Sequence, residues 1–283
     1  YMMINLSALA LGQVLLMLGD AGAAAMFTVT ALLVCAAMLP VTATRLQQPD
    51  VPNVPRLKLG NLYTLAPVAT VAAGLSGLAM GPFWGLLPVF AGDIGLSGDG
   101  VPLFMLAAIA GGALLQWPLG RISDGHDRRI GLMTVSLAAA GLAVLAAMPL
   151  IQQQLHVMFV LVFCYGGLVF ALYPFAVAHM LDYLASEDLL SGCSSLLLVH
   201  GVGAAVGPAI AGALMSRFGA PALPLYFAAV LTCLAVFTGM RLLSHARLRT
   251  HPAPFRAMLR TTPSALELMP ETETPLHPEK ETH

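Results

Sequence analysis

The sequence predicts an all-α membrane protein with eight transmembrane helices, and three observations carry that prediction. Its composition is 58% hydrophobic and only 10% charged, with a mean hydropathy of +0.82. A water-soluble domain of that balance would leave too much apolar surface in solvent. The apolar residues also fall into runs close to the ~20 residues that a helix needs to cross the hydrocarbon core. Inside lipid each backbone N–H and C=O must be satisfied within its own segment, which selects helices for these runs. Finally, the basic residues crowd onto one side of the alternating loops.

In chain order, the first two runs cover 3–18 and 23–39, joined by the turn Gly19-Asp20-Ala21-Gly22. The chain opens at Tyr1, against an apolar helix and with no start methionine or signal peptide ahead of it, which predicts a truncated start. The polar, Pro-rich segment TRLQQPDVPNVPRLKLGN follows. It predicts a loop at 41–62 between two membrane units, residues 1–40 and 63–243. Six further runs lie at 63–91, 101–119, 130–150, 156–180, 190–216 and 222–243, the first of them long enough to tilt or break. From 244 to 283 the composition shifts to Pro, Thr, Glu and His, which predicts a disordered tail. Cys35, Cys164, Cys193 and Cys233 all sit inside apolar runs without metal-ligand spacing and read as small packing residues.

Loop parity sets orientation. If 41–62 is cytoplasmic, so are the loops near 120–129 and 181–189 and the tail. That side then holds Arg45, Arg56, Lys58, Arg121, Arg128, Arg129, Arg241, Arg247, Arg249, Arg256, Arg260 and Lys280, against Arg217 alone on the other.

The stretch QWPLGRISDGHDRR, 116–129, joins the fourth and fifth runs. Gly120 permits a tight exit from a helix ending at Trp117-Pro118-Leu119. Asp124 can cap the helix that follows, and Arg128 and Arg129 stay at the interface. This spacing resembles the loop signature of the major facilitator superfamily, G-x-x-x-D-[RK]-x-G-[RK]-[RK], except that Gly125 stands where a base is usual and Asp127 where glycine is usual. Four other pieces, GPFWGLLP, FALYPFAVA, HGVGAAVGP and the opening YMM with Gly12, Gln13 and Leu15, resemble the seventh, tenth, eleventh and fifth spans of one bacterial branch of that superfamily. The resemblance runs from Tyr1 to about Leu243. It implies two helices from an N-terminal half plus a complete six-helix C-terminal half, in a bacterial inner membrane, with earlier helices of the same protein as partners. It also implies that a small solute crosses by alternating access, with no cofactor and no enzymatic step. The acidic 181–189 connection, with Asp182, Glu187 and Asp188, departs from a basic cytoplasmic loop.

An internal repeat is visible in outline. The run at 63–91 carries GLAMGPFWGLLP and the run at 156–180 carries YGGLVFALYP, both glycine-loosened with an aromatic shortly before a proline. Such paired, interrupted spans point to a transporter's solute site, although membrane helices are rich in Gly and Pro in any case.

The resemblance makes the third and sixth runs cavity-lining, with the first, fourth and seventh beside them. His200 is the ionisable residue well inside a span. It is either a pathway group or a histidine bonded to a neighbouring helix. Cys193, Leu196, Gly203 and Gly207 share its stripe and suit close helix packing. Trp84 and Tyr173 offer large faces with a polar tip, for a solute or for the core. Gln116 and Gln13 either bond a solute or bridge helices. His179 and Asp182 stand at the cytoplasmic end of the sixth run as gate or interface residues. Gly120, Asp124, Arg128 and Arg129 are assigned to a conformational-switch loop, the bases serving otherwise as topology anchors. No Asp or Glu lies mid-span, so a proton-coupling group in this stretch would be His200.

Two rival readings remain. Gly74-Leu75-Ser76-Gly77 matches a rhomboid-like G-x-S-G, and His200 with Gly203 and Gly207 matches H-x-x-G-x-x-x-G, so Ser76 and His200 could form an intramembrane serine protease pair. Three runs separate them where a rhomboid has one, and no donor cluster for an oxyanion is evident. The other rival is a non-transporting membrane scaffold. The sequence shows no metal motif, phosphate-cradling loop or nucleic-acid patch.

Overall fold

The computed structural model describes residues 2–19, 23–44, 59–124, 127–184 and 188–244, and every regular element among them is a helix. They are α1 (Met2–Met17), α2 (Ala24–Ala43), α3 (Leu59–Leu65), α4 (Pro67–Asp93), α5 (Gly100–Asp124), α6 (Arg128–Ala147), α7 (Pro149–Gln152), α8 (Leu155–Leu181), α9 (Leu189–Phe218) and α10 (Ala222–Ser244). Among the described residues seven helices are long and apolar enough to cross a membrane: α2, α4, α5, α6, α8, α9 and α10. The eighth expected span, α1, is apolar but has 16 residues, about 24 Å at 1.5 Å per residue against a core of about 30 Å. Most of the 41–62 connection and the whole tail beyond Ser244 lie outside the described residues.

Prolines set two of the helix boundaries. The long run at 63–91 breaks between α3 and α4 at Ala66, whose φ of −134° and ψ of 68° leave the helical region. Pro67 disfavours that region for its predecessor and brings no N–H of its own, so it opens a new helix instead. Met148, extended at ψ 126°, separates α6 from α7 before Pro149 for the same reason. At 116–129 the structure corrects the expectation. The helix does not end at Leu119; α5 runs on through Gly120 to Asp124. The cap of α6 is not Asp124 but Asp127, whose side chain accepts a hydrogen bond from the Arg129 N–H at 3.0 Å.

The packing of α4, α5, α6, α8, α9 and α10 has a simple symmetry. The largest contacts are α4 with α9, α5 with α8, and α6 with α10, followed by α6 with α8, α4 with α8 and α4 with α10. Exchanging α4 for α8, α5 for α9 and α6 for α10 maps each of these pairings onto another, or onto itself. Two three-helix units thus pack around a pseudo-two-fold relation, and each unit's first helix pairs with the other's second.

Glycines let those crossed pairs approach. A Cβ on Gly77 of α4 would meet the His200 carbonyl oxygen of α9, and one on Gly203 would meet the Gly74 carbonyl. In the partner pair, a Cβ on Gly111 of α5 would strike the Phe163 carbonyl of α8, and one on Gly166 that of Ala108. Lipid tails give helices no hydrophobic reason to associate, so close backbone packing supplies the attraction.

Outward-facing positions remain apolar. Leu114, Val160, Leu198, Val202 and Val236 are exposed on the long helices, and α2 has no buried residue. Arg121 lies over the exposed Trp117 ring at 5.4 Å, and Arg217 over Phe218 at 5.9 Å. These stacks sit near helix ends, where an amphipathic ring and a base anchor to the interface. Cys35 and Cys233 also face outward rather than packing inside, and all four cysteines are free thiols.

Candidate functional site

Three of the residues singled out by sequence converge where α4, α8 and α9 meet. His200 lies in the middle third of α9, Ser76 in that of α4, and Tyr173 reaches them from α8. The His200 Nδ1 stands 3.0 Å from the Ser76 Oγ and 3.1 Å from the Ala73 carbonyl oxygen. The Ser76 hydroxyl donates to that same carbonyl at 2.9 Å. The Tyr173 ring packs on the imidazole, with centroids 4.7 Å apart and planes at 56°. All three side chains are buried, Ser76 completely.

The chemistry of this triangle follows from its acceptor. A carbonyl oxygen can only accept, so a hydrogen bond to Ala73 requires the proton on Nδ1. An Nδ1 that carries a proton donates toward Ser76 and cannot take the serine's proton. The arrangement therefore clamps α9 to α4 through a polar contact among close-packed glycines. Ser76 is completely buried and lacks the exposure that a serine nucleophile needs.

The remaining candidates are dispersed. Trp84, half-buried, joins an aromatic cluster, edge-on to Phe83 at 5.2 Å and to Phe170 at 5.8 Å. Phe83 and Phe170 are themselves edge-on at 5.5 Å. The Gln116 side chain, almost fully buried, donates from Nε2 to the Phe170 carbonyl oxygen at 2.9 Å and so bridges α5 and α8. Its Oε1 is buried with no hydrogen-bond partner among the described residues. Gln13 lies on α1, which packs on α5, and borders a cavity of about 440 Å³ shared with Leu9, Met26 and Thr30.

At one end of the bundle stands a second polar centre. The Arg128 Nε donates to the Asp182 Oδ2 at 2.9 Å, and the two side chains are 3% and 1% exposed. Arg129 engages both Asp127 oxygens, at 2.7–3.2 Å, and donates to the Arg241 carbonyl oxygen at 3.3 Å. Arg128 and Arg129 of the expected switch loop thus bind the ends of α8 and α10. Gly120 lies within α5, and the side chain of Asp124 is outside the described residues. The two departures from a simple basic loop now have partners. Asp127, in the glycine position, caps α6 and pairs with Arg129. Asp182, from the acidic connection, neutralises Arg128. The signal for the latter was its place two residues beyond a long apolar run, level with a base at the start of another.

Helices of membrane-spanning length, packed as two interlocked three-helix units, define an integral membrane protein. Residues 69–273, more than half of the chain, match the family model of the Major Facilitator Superfamily. The chain belongs to that superfamily. It is similar to proteins named "Uncharacterized MFS-type transporter YcaD" from Escherichia coli O17:K52:H18 (strain UMN026 / ExPEC), Escherichia coli O9:H4 (strain HS) and Escherichia coli (strain K12 / DH10B). Each is 27% identical over 188 residues, which is 66% of this chain and 48% of the relative. The chain therefore spans about half the length of the curated relatives it matches. No solved structure matches it.

Proposed function

We propose that this chain forms part of a secondary transporter that moves a small solute across a bacterial inner membrane by alternating access. The observation that carries the reading is the exchange symmetry of α4–α6 with α8–α10. Repeated three-helix units, meeting through glycine-loosened helices, are the architecture in which one bundle rocks against another around a midplane site. In this reading α4 and α8 line the cavity. Trp84 and Tyr173 present ring faces to the solute, and Gln116, with an acceptor oxygen to spare, orients it. His200 holds α9 against α4, and Gln13 contributes from α1. None of these side chains performs covalent chemistry.

The buried Arg128–Asp182 pair supports a switching role for the 120–129 loop. A desolvated ion pair is strong while its geometry is kept and costly to separate partially, so it favours two discrete states over a continuum. The loop, the end of α8 and the tail are cytoplasmic in this proposal.

The test is solute flux by the whole gene product in liposomes, against a panel of small solutes with and without a proton gradient. We expect flux for at least one solute and a loss of ~10-fold or more in Trp84→Ala or Tyr173→Ala, about 1.4 kcal/mol of lost contact. If Ser76→Ala removes an activity that those variants keep, transport is the wrong class and proteolysis by Ser76 and His200 becomes the reading. Residues 1–283 by themselves supply one wall of a two-bundle cavity, so that polypeptide alone should give no uptake. Robust uptake by it would overturn the two-bundle arrangement.

A further inference from the structure

We infer that the end of the bundle carrying Arg129 and Arg241 holds a binding site for a phosphate-type oxyanion, apart from the solute pathway. A cavity of about 80 Å³ opens there, lined by Arg129, His179, Tyr183 and Arg241 together with the start of α4 from Ala66 to Val68. That is room for several waters at about 10–15 Å³ each, enough to admit one tetrahedral oxyanion.

Charge accounting singles out Arg241. Arg128 is matched by Asp182, and Arg129 by Asp127. Among the described residues no carboxylate lies within ion-pair distance of Arg241, which has the Phe237 ring at 5.6 Å beneath its guanidinium. A guanidinium stacked in this way keeps its N–H fork free for an oxyanion. His179, buried in the last turn of α8 with its ring 5.1 Å from that of Tyr183, supplies an imidazole to the same cavity, and Tyr183 a phenol. The break at Ala66 adds a further positive element. It starts the 27-residue α4 at the cavity wall with no side-chain cap, so the positive end of the helix dipole faces the same space. The Arg241 cation, the imidazole and the helix dipole all favour an anion, and among the described residues none that lines the cavity is acidic.

The cavity lies among the ends of α4, α6, α8 and α10, which come from both three-helix units. An anion held there ties the two units together at one end of the bundle. The same phosphate chemistry is offered by a free anion and by the headgroup of an anionic lipid, and the cavity's place at the helix ends gives access to both.

The test uses residues 1–283 in nanodiscs of phosphatidylcholine. One arm measures binding of radiolabelled inorganic phosphate at constant ionic strength; the other measures phosphatidylglycerol retained against phosphatidylcholine, by native mass spectrometry. Saturable phosphate binding assigns the site to a free anion, and selective phosphatidylglycerol retention assigns it to a lipid headgroup. In either case Arg241→Gln should weaken binding about fivefold, the worth of one interfacial base. His179→Asn, a milder change read in the same arms, should weaken it too, and Arg217→Gln at the opposite end should leave it unchanged. Binding in neither arm, or binding that both Arg241→Gln and His179→Asn retain in full, overturns the proposal.

Discussion

Arg128 and Asp182 show how a single residue pair carries more than its place in a motif. Both are withdrawn from solvent, so removing either leaves a buried charge without its counter-ion. Arg128→Ala and Asp182→Ala should each lower stability by about 3–5 kcal/mol. The double variant should lose much less than the sum, because no bare charge remains. Thermal unfolding of the three variants in detergent reads this directly; additive losses would show that the two side chains act independently. The His200 clamp is a gentler case. Ser76→Ala removes one shared hydrogen bond and should cost about 0.5–1 kcal/mol. His200→Ala also forfeits the Tyr173 contact and should cost clearly more in the same assay.

Individual helices depend on where they lack side chains. Gly77 is irreplaceable because its neighbour is backbone: the His200 carbonyl cannot rotate away from a new methyl group. Gly77→Val should therefore push α4 from α9 and cost at least about 2 kcal/mol. Gly85, on the same helix, has open space where a Cβ would go. Gly85→Ala should be neutral or slightly stabilising, since alanine is the better helix former. Equal losses from the two substitutions would refute glycine-mediated packing of the α4–α9 pair. Both glycines belonged to one sequence pattern, GLAMGPFWGLLP. The pattern marked the helix as loosened without telling which glycine faced a neighbour, because that depends on the rotation of α4 about its axis.

For the whole molecule, the basic side and the opposite side make a topological prediction. Cysteine placed at Ser97, in the α4–α5 turn where Gly95 and Gly98 have positive φ, should react with an impermeant maleimide from outside the cell. Cysteine at Ser244, at the end of α10, should react only after permeabilisation. Both belong in a background with Cys35, Cys164, Cys193 and Cys233 replaced. Reversed labelling would invert the orientation assigned from the loop charges.

Class was legible in the linear sequence, since it follows from local physics. Apolar runs of spanning length require helices wherever water is absent, as in α8 and α10. The resemblance carried by QWPLGRISD and the other short pieces placed the chain in its superfamily. Partners were not legible. Asp127 looked like an error in a loop signature and is the cap of α6. Asp182 looked like an acid on the wrong side of the membrane and is the counter-ion of Arg128. Ser76 and His200 could be read as a nucleophile and its base, and the crossing of α4 and α9 places them in a buried hydrogen-bonded contact between helices. Asp127 acts locally, on Arg129 two residues away, but the partners of Asp182 and His200 come from helices distant in sequence, and only the crossed packing of the two three-helix units decides which helices those are.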